Sequence, residues 1–314
     1  MSLEDSAKIA VEVAMGLKSD EIALIICDQK SRRIGYSLLT AAKTAREAVL
    51  IEINERESNG EEPPSLVANA MLHCDIALIP TTKSMSHTKA RKAACDNGAR
   101  IATLPGITED MMERTLDVDY KEMGTLSNRF ADLISIANKV EIFTEKGTNL
   151  RFSIEGREGH PDTGICHTPG DFSNLPAGEA YIAPVEGTAS GTLIIDGSLA
   201  AYGLLQEPLL INIEEGFIVG LKGDGANFLR NTRDKYGRNA WNVAELGIGT
   251  NPKATITGNV LEDEKVKGTI HIAFGDNSTF GGNVSVDSHL DGVIEEPTLI
   301  LDGKTVIDKG ELLI

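Results

Sequence analysis

Apolar residues in the first 140 positions form short unbroken runs separated by stretches with helical spacing. The apolar runs are residues 22–27, 48–53, 75–80 and 100–104. Strands that are buried on both faces have this pattern. The helix-like stretches between and before them are residues 31–47, 65–73 and 87–97. This alternation predicts an α/β fold with an N-terminal parallel sheet and flanking helices.

The pattern changes after about residue 140, where short strands and glycine-rich turns predominate. A helix over residues 120–139 is predicted to lead into this half, and residues 223–237 to form a helical insert within it. Asp196-Gly197 and Asp302-Gly303 are typical of tight hairpin turns. The chain is therefore predicted to have an α/β domain at 1–140 and a β-rich, metal-binding catalytic domain at 141–314.

The first predicted strand is not followed by a phosphate-binding turn. Cys27-Asp28-Gln29-Lys30 stands where a dinucleotide-binding fold would carry G-x-G-x-x-G. This absence argues against an NAD-binding protein.

The net charge of the chain indicates which classes of binding partner it disfavours. The 314 residues include 30 Lys and Arg against 47 Asp and Glu, so the formal net charge is −17. Such a balance disfavours nucleic acid and anionic membrane surfaces as partners and favours cations. No basic start followed by an apolar run and no apolar stretch of membrane-spanning length is present, so we expect a cytoplasmic protein. The four cysteines form no C-x-x-C pair and are expected to be free thiols.

Two residues near the C-terminus are suited to binding a metal. His289 and Asp291 lie two positions apart in a strand-like segment, so their side chains are expected to leave the strand on one face. Imidazole and carboxylate groups are ligands for zinc, manganese and iron. Asp287, on the same face, is a candidate for orienting the imidazole.

Further polar residues interrupt apolar strands. His271 lies within the run 268–274, Glu179 precedes the run 180–184, and Glu245 lies within 243–247. Each would cost free energy if it were buried without a partner. A shared metal site and ordinary hydrogen-bonded core residues both explain this pattern.

Four segments in this order resemble motifs of the metallo-aminopeptidase family that includes aminopeptidases T and S. The segments are residues 174–184, 245–249, 268–275 and 289–291. The resemblance covers roughly residues 140–314. It implies a hydrolase that removes N-terminal residues from small peptides and, as is usual in that family, forms a homodimer.

The resemblance also implies a ligand set. It assigns two divalent ions, such as Zn, Mn or Co, to five residues, namely Glu179, Glu245, His271, His289 and Asp291. The ions would share and activate a water molecule. Glu179 or Glu245 would bridge the ions or shuttle a proton. Ser278 stands where the peptidases carry a tyrosine, and the nearest aromatic residue, Phe280, has no hydroxyl group.

The same scaffold resembles a second activity, that of 2,5-dihydroxypyridine 5,6-dioxygenase, which uses one non-haem iron(II). For this alternative Glu179, His289 and Asp291 are taken as the iron ligands. A catalytically inactive metal-binding relative is the third possibility, because the tyrosine is missing.

His87 is a further candidate catalytic residue. It lies after the third predicted strand, at the carboxyl edge of the sheet, where ligands bind in parallel α/β folds. A base or substrate contact is one interpretation. The other is an exposed first helical turn that is capped by Ser86.

Overall fold

The computed structural model describes all residues, 1–314, and confirms the predicted mixture of a parallel sheet with helices and a β-rich region. The eight α-helices, numbered in chain order, are α1 Leu3–Lys8, α2 Arg32–Ala41, α3 Ser65–Met71, α4 Lys89–Asp96, α5 Glu109–Thr115, α6 Tyr120–Ile136, α7 Ala226–Tyr236 and α8 Val260–Asp263. Three further helical segments are the π-helix Ile9–Ala14 and the 3-10 helices Ala42–Thr44 and Arg238–Trp241.

Twenty strands complete the secondary structure. They are β1 Ile22–Asp28, β2 Glu47–Ile53, β3 Ile76–Ile79, β4 Arg100–Thr103, β5 Lys139–Phe143, β6 Asn149–Ser153, β7 His160–Asp162, β8 Phe172–Asn174, β9 Glu179–Ile182, β10 Ser190–Ile195, β11 Ser198–Leu199, β12 Gly203–Leu204, β13 Leu209–Glu214, β14 Phe217–Lys222, β15 Val243–Gly249, β16 Ile270–Gly275, β17 His289–Ile294, β18 Thr298–Leu301, β19 Lys304–Asp308 and β20 Glu311–Leu312. None of the helices combines the length and apolar character needed to cross a lipid bilayer.

The chain divides into two compact units, each built from two segments. The first comprises residues 1–124 and 162–177, and the second comprises 125–161 and 178–314. The sequence pattern had instead placed a single boundary after residue 140.

The first unit contains a five-stranded parallel sheet in the order β2-β1-β3-β4-β8. The four predicted strands are present, and β1, β3 and β4 are almost completely buried. Their apolar runs form strands because both faces of the sheet are covered. The fifth strand, β8, was not predicted, since three residues carry too little pattern to be recognised.

The second unit contains two sheets and one large core. One sheet has the order β14-β13-β10-β6-β5-β18-β19-β20 and the other β12-β11-β17-β16-β15-β9-β7. Apolar side chains from both sheets and from helices α6 and α7 form a single cluster. The predicted β-rich character of this half is therefore confirmed.

One of the two predicted hairpins is correct. Asp302 and Gly303 both have positive φ, 48° and 83°, and connect the antiparallel pair β18 and β19. Asp196 and Gly197 have no positive φ and connect β10 to β11, which belong to different sheets. The hairpin predicted there is wrong, because Asp-Gly makes a tight hairpin only where both residues adopt the left-handed conformation.

Candidate metal centre

The candidate ligands lie on one face of the second sheet. Glu245 on β15 stands opposite Ala273 on β16, which stands opposite Asp291 on β17. Side chains two positions apart share a face of a strand, so His271 and His289 join the same face. The alternate residues on these strands, such as Leu246 and Phe274, point into the apolar core. Alternation between core and ligand positions therefore builds the site.

Glycine makes room on the ligand face. Gly247 stands opposite His271 in the register, and a Cβ atom at position 247 would overlap the His271 ring. Similarly, a Cβ at Gly275 would overlap the carbonyl oxygen of Ser288, directly before His289. The glycines in these motifs are required by close packing around the two imidazoles.

A first cluster contains Glu245, His289 and Asp291. The His289 Nε2 atom lies 3.3 Å from Glu245 Oε2 and 3.4 Å from Asp291 Oδ1. One potential ligand atom from each residue lies within 4.8 Å of the others. Glu245 and Asp291 are 7% and 8% exposed, whereas the His289 side chain is 30% exposed. The two carboxylates are therefore buried, and solvent reaches the cluster at His289.

A backbone carbonyl orients His289. Its Nδ1 atom lies 2.8 Å from the Asp276 carbonyl oxygen, which can accept a hydrogen bond from Nδ1–H. That tautomer leaves Nε2 facing the carboxylates as the nitrogen available to bind a metal. Asp287, which we had expected in this role, is exposed and precedes the strand. The expectation fails because β17 begins only at His289, so the period-two argument does not extend to Asp287.

A second cluster contains Glu179, Glu264 and His271. The His271 Nε2 atom lies 3.5 Å from Glu179 Oε2 and 3.3 Å from Glu245 Oε1, so this histidine links the two clusters. The structure thus brings the five predicted ligands together. The carboxylate that joins His289 and Asp291 is Glu245, whereas the iron alternative had used Glu179.

Glu264 and Lys265 were missed by sequence reasoning. The Lys265 side chain is fully buried, and its Nζ atom lies 2.5 Å from Glu179 Oε1 and 2.7 Å from Glu264 Oε1. Both residues belong to an acidic and basic stretch after α8, which sequence alone assigns to the surface because charged residues are rarely buried. No local signal marked them.

The clusters perturb one another's protonation. Burial raises the pKa of the Glu245 carboxyl, but hydrogen bonds from His271 and His289 outweigh it and hold that pKa well below its usual range. Burial lowers the pKa of His271, yet its hydrogen bond to Glu245 and the nearby carboxylates raise it to about 9. For Glu264, burial dominates and raises the pKa to about 8. A metal ion binding here would displace protons from imidazole groups.

The donor set fits a divalent transition metal. Glu245, His289 and Asp291 offer one imidazole and two carboxylates, and His271 adds a second imidazole beside Glu245. Mixed imidazole and carboxylate sets of this kind bind iron, manganese and zinc. Two acid and histidine clusters are present, and a divalent metal suits their chemistry.

Aromatic side chains border the exposed edge of His289. The Phe280 ring lies edge-on to His289, with 5.9 Å between centroids, and edge-on to Tyr181 at 5.6 Å. Tyr181 lies two positions after Glu179 on β9 and hence on the ligand face. Ser278 instead donates its hydroxyl to the Asp276 carboxylate, 3.0 Å away. Two aromatic rings therefore border the cluster beside His289.

Glu186, which the sequence did not single out, holds the loop 276–288. Its carboxylate accepts hydrogen bonds from the Asn277 side chain at 3.0 Å and from the Asn283 backbone at 2.7 Å. Arg157 pairs with the same carboxylate at 2.5 Å. These bonds fix the loop that carries Phe280.

His87 belongs to the other unit, where it is exposed in the turn before α4. The helix is capped by Thr88, which accepts a hydrogen bond from the Arg91 backbone, and not by Ser86 as expected. The Ser86 hydroxyl contacts Thr103 at 2.7 Å instead. A catalytic role for His87 stays a prediction.

Comparison with known proteins identifies relatives. The family model NicX, described as 2,5-dihydroxypyridine 5,6-dioxygenase, matches residues 11–314. A curated 2,5-dihydroxypyridine 5,6-dioxygenase from Pseudomonas putida is 23% identical over 250 residues, covering 75% of this chain and 71% of the relative.

Two solved structures share the fold. The 2,5-dihydroxypyridine dioxygenase of Pseudomonas putida KT2440 superposes with a TM-score of 0.83 at 19% identity, covering 99% of this chain and 96% of that chain. Wild-type AmpT from Thermus thermophilus superposes with a TM-score of 0.75 at 18% identity, covering 99% of both chains. The scaffold is therefore shared with both, as the motif resemblance had implied.

The predicted aminopeptidase activity is wrong. The matching family model and the curated relative both name a dioxygenase, so the hydrolase and metalloprotease assignment is overturned in favour of the alternative. The motifs 245–249, 268–275 and 289–291 place the candidate ligands on the scaffold. They do not determine the reaction, because one scaffold can host different reactions. The absence of a tyrosine at Ser278 was the local sign of the difference.

Proposed function

Since the chain belongs to the 2,5-dihydroxypyridine 5,6-dioxygenase family, we propose that it opens the ring of a dihydroxylated pyridine or a closely related heteroaromatic compound with dioxygen. The observation that carries the proposal is the cluster of Glu245, His289 and Asp291, buried by its carboxylates and open beside His289. A single iron(II) ion suits this donor set.

The residues of the cluster would hold the ion. Bound iron would supply the means to bring dioxygen and a hydroxylated ring together for oxidation. Glu245 and Asp291 contribute two negative charges that balance a divalent cation. The Asp276 carbonyl keeps the His289 ring turned so that Nε2 faces the ion.

Proton movement is assigned to His271 and Glu245. Their side chains lie 3.3 Å apart, within reach of proton exchange between His271 Nε2 and Glu245 Oε1. In this proposal His271 loses the proton that it otherwise holds when the ion binds, and the neutral His271 imidazole accepts the proton that a substrate hydroxyl group releases when it binds.

Phe280 and Tyr181 would position the ring. Their edge-on arrangement beside His289 provides an apolar contact surface for a flat heterocycle. A small molecule suits this surface better than a peptide chain, since the contact is confined to two side chains.

Oxygen consumption tests the proposal. Protein purified without oxygen and loaded with iron(II) is expected to consume oxygen when 2,5-dihydroxypyridine is added and to remove the ring absorbance of the substrate. Asp291→Asn is expected to abolish both signals. Iron-loaded protein that consumes no oxygen with a panel of hydroxylated pyridines would disprove this function.

A further inference from the structure

A lysine side chain lies inside one of the two acid and histidine clusters. Lys265 is fully buried, and its Nζ atom contacts a carboxylate oxygen of both Glu179 and Glu264. The third member of that cluster, His271, lies 3.5 Å from Glu179. A buried ammonium group between two carboxylates occupies the part of the cluster that a cation would need.

The fold builds this position for Lys265. A Cβ atom at Gly249 would overlap the Val266 carbonyl oxygen, so the glycine allows the Lys265–Val266 backbone to lie against β15. The Asn251 backbone N–H donates to the Lys265 carbonyl at 2.8 Å. Backbone contacts therefore hold the lysine against the sheet, independently of its side chain.

The preceding segment is also anchored. Glu262 accepts a hydrogen bond from the Thr255 backbone at 2.7 Å, and Asp263 accepts one from the Thr257 backbone at 2.7 Å. Both carboxylates are completely buried. Lys265 is therefore part of a fixed structure, and its ammonium group is held at the cluster.

We infer that the Lys265 ammonium group takes the place of a metal cation in the cluster of Glu179, Glu264 and His271, so that the chain binds one divalent ion, at Glu245, His289 and Asp291. The charges agree with this assignment. Lys265 compensates one of the two carboxylates that it pairs with, whereas the ion pairs of Glu245 and Asp291 are with histidines. A second divalent ion would meet the ammonium charge at close range.

The inference rests on the proposed function only in taking the first cluster as the metal centre. It adds to that function that one ion binds and that the carboxylates of Glu179 and Glu264 hold Lys265 in place of a second ion. Metal counting tests it without turnover.

Manganese(II) is the probe, measured by elemental analysis of gel-filtered protein and by calorimetric titration. We expect one ion per chain in the unaltered protein, two in Lys265→Met, and one in Lys265→Arg, which keeps the positive charge. Electron paramagnetic resonance should show magnetic coupling between neighbouring ions in Lys265→Met alone. Two ions in the unaltered protein, or one ion in folded Lys265→Met, would overturn the inference.

Glu179→Gln gives an independent test should Lys265→Met fail to fold. One manganese ion is expected to remain bound, because Glu179 pairs with Lys265 and does not bind the metal. Loss of that ion would overturn the inference. Protein that binds one ion but consumes no oxygen would contradict the proposed reaction and leave the metal count intact.

Discussion

The imidazole ring of His271 fills the space that a side chain at position 247 would occupy. The two residues face each other across β15 and β16, and only glycine leaves room for the ring over the neighbouring strand. This contact fixes the histidine that links the two carboxylate clusters.

Gly247→Ala is expected to displace the His271 ring. Overpacking a tight site costs about 1–3 kcal/mol of unfolding free energy, and we expect metal affinity to fall as well. Urea denaturation and manganese titration measure the two effects. Gly124→Ala, within helix α6, is the control. Its new Cβ would meet its nearest neighbour, Thr163, at an ordinary 3.5 Å, so the substitution should stabilise the protein by about 0.5–1 kcal/mol. Unchanged binding and stability in Gly247→Ala would show that the contact is unimportant.

Asp291→Asn is expected to lower metal affinity by at least about tenfold, since it removes one of two charged ligands while keeping the size of the side chain. Equilibrium dialysis with manganese(II) measures the change. Asp287→Asn removes an equal charge from an exposed position four residues before Asp291. This variant should bind manganese(II) as tightly as the unaltered protein. Equal losses in both variants would point to a general charge effect.

Phe280→Ala is expected to raise KM for a hydroxylated pyridine by up to about tenfold, because an aromatic contact contributes about 0.5–1.5 kcal/mol. The iron content should not change, since Phe280 touches His289 only through its ring. Phe280→Leu separates the two causes of such a loss. Full recovery with leucine would show that apolar area, and not an aromatic ring, is what the substrate requires.

Glu186→Gln is expected to weaken the loop 276–288 in a pH-dependent way. Burial raises the pKa of Glu186, but hydrogen bonds from Asn283 and Asn277 and the charge of Arg157 bring it below its ordinary 4.5. A lowered folded-state pKa contributes stability above about pH 4.5 that is lost as the pH falls through the folded value.

The unfolding free energy of Glu186→Gln should therefore lie about 1 kcal/mol below that of the unaltered protein at pH 7, with the difference shrinking below pH 4.5. Denaturation at a series of pH values measures it. Glu155→Gln, at an exposed position two residues before Arg157, is the control. A difference that stays constant down to acid pH would contradict the assignment.

Arg100→Met is expected to destabilise the first unit. Arg100 is almost completely buried and pairs with Glu21 at 2.6 Å, so its removal leaves the Glu21 carboxylate without its cationic partner. Breaking a buried pair in this way costs about 3–5 kcal/mol. Urea denaturation of Arg100→Met, Glu21→Gln and the double variant measures the coupling, and additive effects would show that the pair is not coupled.

Strands β1, β3 and β4 of the parallel sheet were predictable because burial on both faces leaves an unbroken apolar run. The prediction for Ile22–Asp28 differs from the structure by one residue. The helix predicted at residues 31–47 ends earlier, since Glu47 already begins β2. Helix ends depend on local capping and on the next strand, which spacing alone describes poorly.

The candidate ligands stood out in the sequence as polar residues within or beside strand-like segments, and their assignment as a ligand set followed from the family resemblance. His271, His289 and Glu245 stand out for this reason. Glu264 and Lys265 do not, because their segment is irregular and its burial arises only when the backbone packs against Gly249.

The sequence by itself determined the α/β and β-rich halves and the candidate ligands, since each depends on patterns of a few neighbouring residues. The tertiary structure decided which ligands share a cluster, grouping Glu245 with His289 and Asp291 and pairing Glu179 with Lys265. The physical reason is strand register. Residues dozens of positions apart meet only when β9, β15, β16 and β17 align, and no local pattern encodes that alignment.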